Sequence, residues 1–148
     1  MKLLKTAALG LALVAGPAFA DGHASGDAEA GEKVFKKCKA CHSIVDAGGE
    51  VIAKGGRNGP NLYGVLGRQA GTEAEFGKKF GKSIVAAGEA GVTWDEEQFI
   101  VYVADPRQFL RTTLDNKKAK TKMSFKLGNA EDAANVWAYL VSVGPAAE

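Results

Sequence analysis

Cys38-Lys39-Ala40-Cys41-His42 sets two thiols three residues apart with an imidazole directly after the second. That spacing is the attachment signature of a c-type haem. Positions three and four apart on a helical turn share one face, so both sulfurs can reach the vinyl groups of one porphyrin while His42 turns its ring onto the iron. The same Cys-x-x-Cys also serves dithiol redox pairs and zinc sites. A closed zinc site wants four Cys or His ligands. The chain has two Cys and two His, and His23 lies in a small, polar stretch with nothing nearby to hold it. A dithiol oxidoreductase needs a strand before the motif and a βαβ unit around it, and the sequence shows neither pattern.

Ahead of the motif, Lys2 and Lys5 flank Leu3 and Leu4, an apolar run extends from Ala7 to about Ala15, and Ala18-Phe19-Ala20 offers small residues at a peptidase site. The pattern predicts a signal peptide over residues 1–20, cleaved after Ala20. The run is far short of the roughly 20 residues that span a bilayer, so no stable membrane insertion is expected. Residues 21–26 read as a flexible leader and 27–148 as one domain. The chain has 19 Lys and Arg; removing Lys2 and Lys5 leaves 17, against 17 Asp and Glu. Near-neutrality gives no bulk-charge argument for nucleic-acid binding. With 19 Gly and few periodic apolar segments, the domain needs a buried planar cofactor to supply part of its core.

Asp27 can cap a first helix that runs into the motif, with Gly31 and Phe35 on the face shared with Cys38. Residues 43–74 are rich in Gly and turn residues and read as a loop wrapping something large. Within it, Asn58-Gly59-Pro60 can hold a carbonyl against the far nitrogen of His42, although read alone it is only a turn. Thr93 and Glu96 form a capping box for a helix over 94–104, and Pro106 opens a short helix to about Arg111. A lysine-rich loop then leads to Met123, the sole Met beyond the leader and the candidate sixth ligand. Met is more often core filler. Asn129 caps the last helix, whose Val136, Leu140 and Val143 form one stripe, and Gly144-Pro145 stops it. The two terminal helices should cross, with Gly31 and Phe35 against Val136 and Tyr139.

These motifs together resemble the class I cytochromes c, and within them the bacterial cytochrome c2 type. The resemblance rests on Cys38 to His42, Gly59-Pro60-Asn61-Leu62 with Gly67-Arg68, Trp94, Tyr102, Asp105-Pro106, Lys122-Met123-Ser124-Phe125 and Trp137-Ala138-Tyr139-Leu140. It implies an all-α fold, with crossed N- and C-terminal helices and shorter helices and long loops around one covalent haem c per chain. It implies thioethers at Cys38 and Cys41, axial His42 and Met123, and the Pro60 carbonyl on the His ring. It also implies Arg68 and Trp94 near a haem propionate and Tyr102 near the Met sulfur. The segment from Leu110 to Met123 is longer than in the short mitochondrial members, so roles within 111–122 do not carry over.

With both axial positions filled, the expected function is electron carriage, not enzymatic catalysis. The resemblance implies a monomeric periplasmic shuttle from a cytochrome bc complex to a photosynthetic reaction centre or terminal oxidase. Lys36, Lys37 and Lys39 beside the attachment site, and Lys117 to Lys126 beside Met123, are the expected docking lysines. The competing reading is a haem enzyme or gas-binding sensor in which Met123 is absent from the iron or labile.

Overall fold

The computed structural model describes residues 24–145. The predicted signal peptide, His23 and the first part of the leader lie outside the described residues. Asp27 begins α1 (Ala28–Phe35) as expected: its side chain accepts from the Ala30 N–H at 2.9 Å. Asn129 does the same for α5 (Ala130–Ser142), accepting from the Asp132 N–H at 2.9 Å. These terminal helices cross. A Cβ at Gly31 would overlap the Asn135 carbonyl oxygen and lie 2.9 Å from the Tyr139 Cβ, so only glycine permits this approach. Phe35 meets Tyr139 with ring centroids 5.5 Å apart.

The docking reaches back into the leader. The Ser25 hydroxyl donates to Glu96 at 2.6 Å, the Asp27 N–H donates to Asn135 Oδ1 at 2.7 Å, and Gly26 abuts the Ala134 backbone. The expected mobility of residues 21–26 therefore does not extend to Ser25 and Gly26, which are held by α3 and α5.

Three further helices complete the framework: α2 (Lys82–Glu89), α3 (Glu96–Ala104) and α4 (Pro106–Thr113). The capping box at Thr93 is displaced by two residues. Asp95 is the cap of α3, accepting from the Gln98 N–H at 2.7 Å, while Thr93 pairs in extended form with Gln69. A carboxylate accepts more strongly than a hydroxyl, and the Thr93 pairing keeps that residue out of the helix. Asp105 both ends α3 and caps α4 through the Gln108 N–H, and Pro106 occupies the first helical position, where no N–H is missed.

Two elements were not expected. Residues 43–74 include a short antiparallel hairpin of β1 (Ile44–Val45) and β2 (Val51–Ala53), with Ile44 paired to Ala53. Helix α2 follows a single 3₁₀ turn at Gly77–Lys79.

Two apolar clusters result. Phe35, Ile44, Trp137 and Leu140, none more than 1% exposed, anchor the larger one around the terminal helices. Ala87, Phe109, Leu110 and Ala119 form the smaller one where α2 meets α4. Each large side chain buried this way contributes about 1.5–3 kcal/mol. Tyr102 packs against both clusters, and the space between them is the site.

Candidate functional site

A cavity of 230 Å³ opens between the two clusters. The larger cluster gives it Val65, Phe99, Val103 and Val136, and the smaller gives it Leu110 and Ile84. Cys38, Cys41, Pro60, Arg68, Trp94, Tyr102 and Met123 all line it, although the sequence separates the first from the last by the whole central part of the chain. His42 stands at its margin. Its ring lies against Gly59, where a Cβ would overlap it, and Gly59 is itself a wall residue.

The motif occupies the turns that continue from α1. The Cys38 N–H bonds to the Phe35 carbonyl at 2.8 Å and the His42 N–H to the Cys38 carbonyl at 3.0 Å, so the helical track carries both thiols and the imidazole. Neither cysteine is in a disulfide. Burial pushes the Cys38 thiol up to about 11, so it is neutral at ordinary pH. The His42 Nδ1 lies 2.8 Å from the Pro60 carbonyl. A carbonyl only accepts, so Nδ1 carries the proton and Nε2 keeps its lone pair. Burial holds the imidazole pKa below its usual value, partly offset by that hydrogen bond.

Met123, which also lines the cavity, is fixed by its neighbour. The Thr121 hydroxyl accepts from the Met123 N–H at 3.0 Å, lies 3.2 Å from the Met123 carbonyl, and is hydrogen-bonded by Tyr102, whose phenol pKa is raised by burial. Trp94 meets Tyr102 edge to face at 5.0 Å and stacks on Phe109 at 6.3 Å. Arg68 donates to the Tyr63 carbonyl at 3.1 Å and the Asn61 carbonyl at 3.0 Å. Its backbone is pinned beside Trp94 by the Trp94 N–H to Arg68 carbonyl bond at 2.9 Å.

Sequence reasoning missed the segment from Thr72 to Ile84, which contributes Phe76 and Phe80 to the wall. No periodicity marks it. Its order comes from outside: the Lys122 ammonium donates to the Lys79 carbonyl at 2.6 Å, and the Lys120 N–H donates to Ser83 Oγ at 3.1 Å. The lysines of the two expected groups come together in part. Lys37 from the first, with Lys120 and Lys122 from the second, border the same cavity. Asp132 lies 3.5 Å from Lys37.

The donor set discriminates among cofactors. Among the described residues no three His, Cys, Asp or Glu gather to hold a metal ion. Helix α1 precedes the motif and the hairpin strands follow it, so the βαβ frame of a dithiol oxidoreductase is missing among the described residues. A largely apolar cavity lined by two cysteines, by the turn that tethers an imidazole and by a methionine fits an apolar planar group with a central metal.

Comparison with known proteins agrees with this chemistry. The Cytochrome c family model matches residues 28–144. Cytochrome c-551 of Roseobacter denitrificans is 57% identical over 144 residues, covering 95% of this chain and 96% of that protein. Cytochrome c2 of Rhodobacter capsulatus is 55% identical, covering 97% and 98%. The solved structure of cytochrome c2 from Rhodobacter sphaeroides superposes with a TM-score of 0.78 at 51% identity, covering 81% of this chain and 98% of that one. The chain belongs to the cytochrome c family, as a class I member of the cytochrome c2 type. Its cofactor is covalently attached haem c, and it is an electron carrier, not an enzyme.

Proposed function

We propose that Cys38 and Cys41 hold the haem as thioethers, that His42 and Met123 are its axial ligands, and that the protein shuttles electrons between membrane complexes in the periplasm. The observation that carries the reading is the convergence on one cavity of Cys38, Cys41, Pro60 and Met123, with His42 tethered at its margin. When bound, the haem supplies a one-electron ferric and ferrous couple.

The chain's own residues do the rest. Pro60 orients the His42 ring and leaves Nε2 free to ligate. Thr121 and Tyr102 set the backbone and surroundings of Met123, whose thioether favours the ferrous state and raises the potential. Phe76, Phe80 and Phe99 exclude water from the cavity, which also disfavours the extra charge of the ferric state. Arg68 and Trp94 serve the propionate edge, where a half-buried guanidinium complements a carboxylate.

Docking is through lysines at the cavity rim. Lys37, Lys120 and Lys122 border it, Lys36, Lys117 and Lys118 are exposed nearby in sequence, and Lys39 is half-buried. The pair of Lys37 with Asp132 is solvated and weak, so it does not withdraw Lys37 from a partner. The donor is a cytochrome bc complex and the acceptor a photosynthetic reaction centre or terminal oxidase. Export through the signal peptide at residues 1–20 delivers the chain to that compartment. Among the described residues no helix is long and apolar enough to cross a membrane.

The test is the rate of reduction by an isolated bc complex, and of oxidation by a reaction centre or oxidase, as ionic strength rises. Both rates should fall as the Debye length shrinks from about 30 Å to about 8 Å. Rates indifferent to salt would remove the lysine rim from the reading.

A further inference from the structure

The chain has two histidines, and the haem reading uses only His42. His23 is left over. It stands third in Asp21-Gly22-His23, directly behind Ala18-Phe19-Ala20, where the signal peptide is expected to be cut. Cleavage there makes Asp21 the first residue of the exported chain and gives it a free α-amine. That position changes what His23 can do. A histidine third from a free amino terminus completes a chelate of four nitrogens: the α-amine, the amide nitrogens of the second and third residues, and its own Nδ1. The rings closed around the ion have five, five and six members, so none is strained. Gly22 suits the middle place, since it has an amide proton to lose, which proline lacks, and no side chain to crowd the plane.

The donor set selects the ion. A square-planar nitrogen field suits Cu(II) and Ni(II), and affinity among the divalent ions peaks at Cu(II), whereas Zn(II) wants a tetrahedral set. Loss of the two amide protons cancels the charge of the ion, so no carboxylate is required. Among the described residues no three His, Cys, Asp or Glu gather to compete for it. His23 lies outside the described residues, and a chelate of this kind needs no preformed pocket, because consecutive residues supply every donor. The described chain takes over at the next residue. Ala24 packs against the larger apolar cluster, and the Ser25 N–H and hydroxyl bond to Glu96 of α3 at 3.0 and 2.6 Å. Those contacts use no atom that the chelate needs, so the ion binds without undoing the docking of the leader.

We propose that the amino terminus of the exported protein is a binding site for Cu(II), with Ni(II) as a weaker competitor, formed by the Asp21 α-amine, the Gly22 and His23 amide nitrogens and His23 Nδ1. The inference rests on the cleavage after Ala20 given above and is independent of the haem ligands. Binding is a proton exchange, not a redox step. As the ion enters, one proton leaves the α-ammonium and one leaves each amide, while the imidazole keeps its Nε2 proton. At pH 7 the α-ammonium is still largely protonated, so about three protons pass to solvent per ion, and affinity rises with pH.

The experiment uses the exported, haem-loaded protein in its ferric state, in which the haem has no electron to give the ion. Its intact mass should place the amino terminus at Asp21. Cu(II) titrated in the presence of excess free glycine should then saturate at one ion per chain, with the paramagnetic resonance spectrum of four nitrogens in a square plane. Calorimetry in two buffers should count about three protons released. Ni(II) should compete for the site and Zn(II) should not. His23→Ala should weaken binding by more than about a hundredfold, since loss of a ligand's supporting neighbour alone costs about 10–100-fold. Gly22→Pro keeps the histidine in place but removes an amide proton, and should weaken binding as much. Neither residue belongs to the attachment motif or the Met123 loop, so an unchanged haem spectrum certifies each variant as folded. Copper held no more tightly by the parent than by the two variants overturns the site. A chain that starts anywhere but Asp21 overturns it through the cleavage reading, and the mass tells that failure from the first.

Discussion

The His42 imidazole and the Pro60 carbonyl meet at 2.8 Å, so a turn in the Gly-rich loop fixes the ring that the attachment motif supplies. Gly59 makes the approach possible, because a Cβ there would overlap the ring. Gly59→Ala must displace either the imidazole or the loop, at a cost of about 1–3 kcal/mol. Thermal unfolding should come earlier and the yield of haem-loaded protein should drop. A variant with parental stability and spectrum would show that the ring is not held by this turn.

Met123 is held at one remove by bonds between its own loop and the segment from Thr72 to Ile84. Ser83 Oγ accepts from the Lys120 N–H, and Lys122 reaches the Lys79 carbonyl. Ser83→Ala or Lys122→Met should cost about 1 kcal/mol each and loosen the 117–123 loop before the helices. The far-red ferric band is then expected to fade at a lower temperature than the helical circular dichroism, with a wider gap than in the parent. Coincident loss of both signals, unshifted from the parent, would argue that these bonds do not position the loop.

At the helix crossing, Gly31→Ala places a methyl against the Asn135 carbonyl, which is backbone and cannot swing aside. Separation of α1 and α5 should cost about 3 kcal/mol, visible as a lower midpoint in denaturant. Parental stability would mean the crossing is looser than the geometry indicates.

The Lys126 ammonium beside Asp105, helped by the Gln108 N–H, holds its carboxyl below the usual carboxylate range. Since the folded pKa is the lower one, this contribution to stability is complete above the ordinary carboxylate value and is lost as pH falls through the folded pKa. Lys126→Ala should raise the Asp105 pKa toward normal in an NMR titration and start acid unfolding at a higher pH. An unmoved titration would deny the pair any influence in solution, as many exposed pairs have none.

Much of this site was legible because its chemistry is local. Cys38, Cys41 and His42 declare themselves by spacing, and Asp27 and Asn129 by capping, since each acts within one or two turns. The path from Thr72 to Ile84 was not legible. Phe76 and Phe80 meet edge to face at 4.8 Å, but their place in the wall depends on Lys79 and Ser83 receiving bonds from residues some forty positions on. Helix α2 hides for a similar reason, as Gly88 weakens its local propensity while allowing contact with the Ala70 carbonyl. The cap of α3 moved from Thr93 to Asp95 because Thr93 is taken by its pairing with Gln69, a partner no local pattern reveals.

Closed six-coordination by His42 and Met123 is the central claim, and visible spectroscopy of the purified protein with and without carbon monoxide tests it most directly. The account predicts sharp ferrous bands that carbon monoxide leaves in place, and a weak far-red ferric band that disappears in Met123→Ala. Ferrous bands that shift with carbon monoxide in the parent protein would mean an open or labile sixth position, and would turn the reading from electron carrier to haem enzyme or gas sensor.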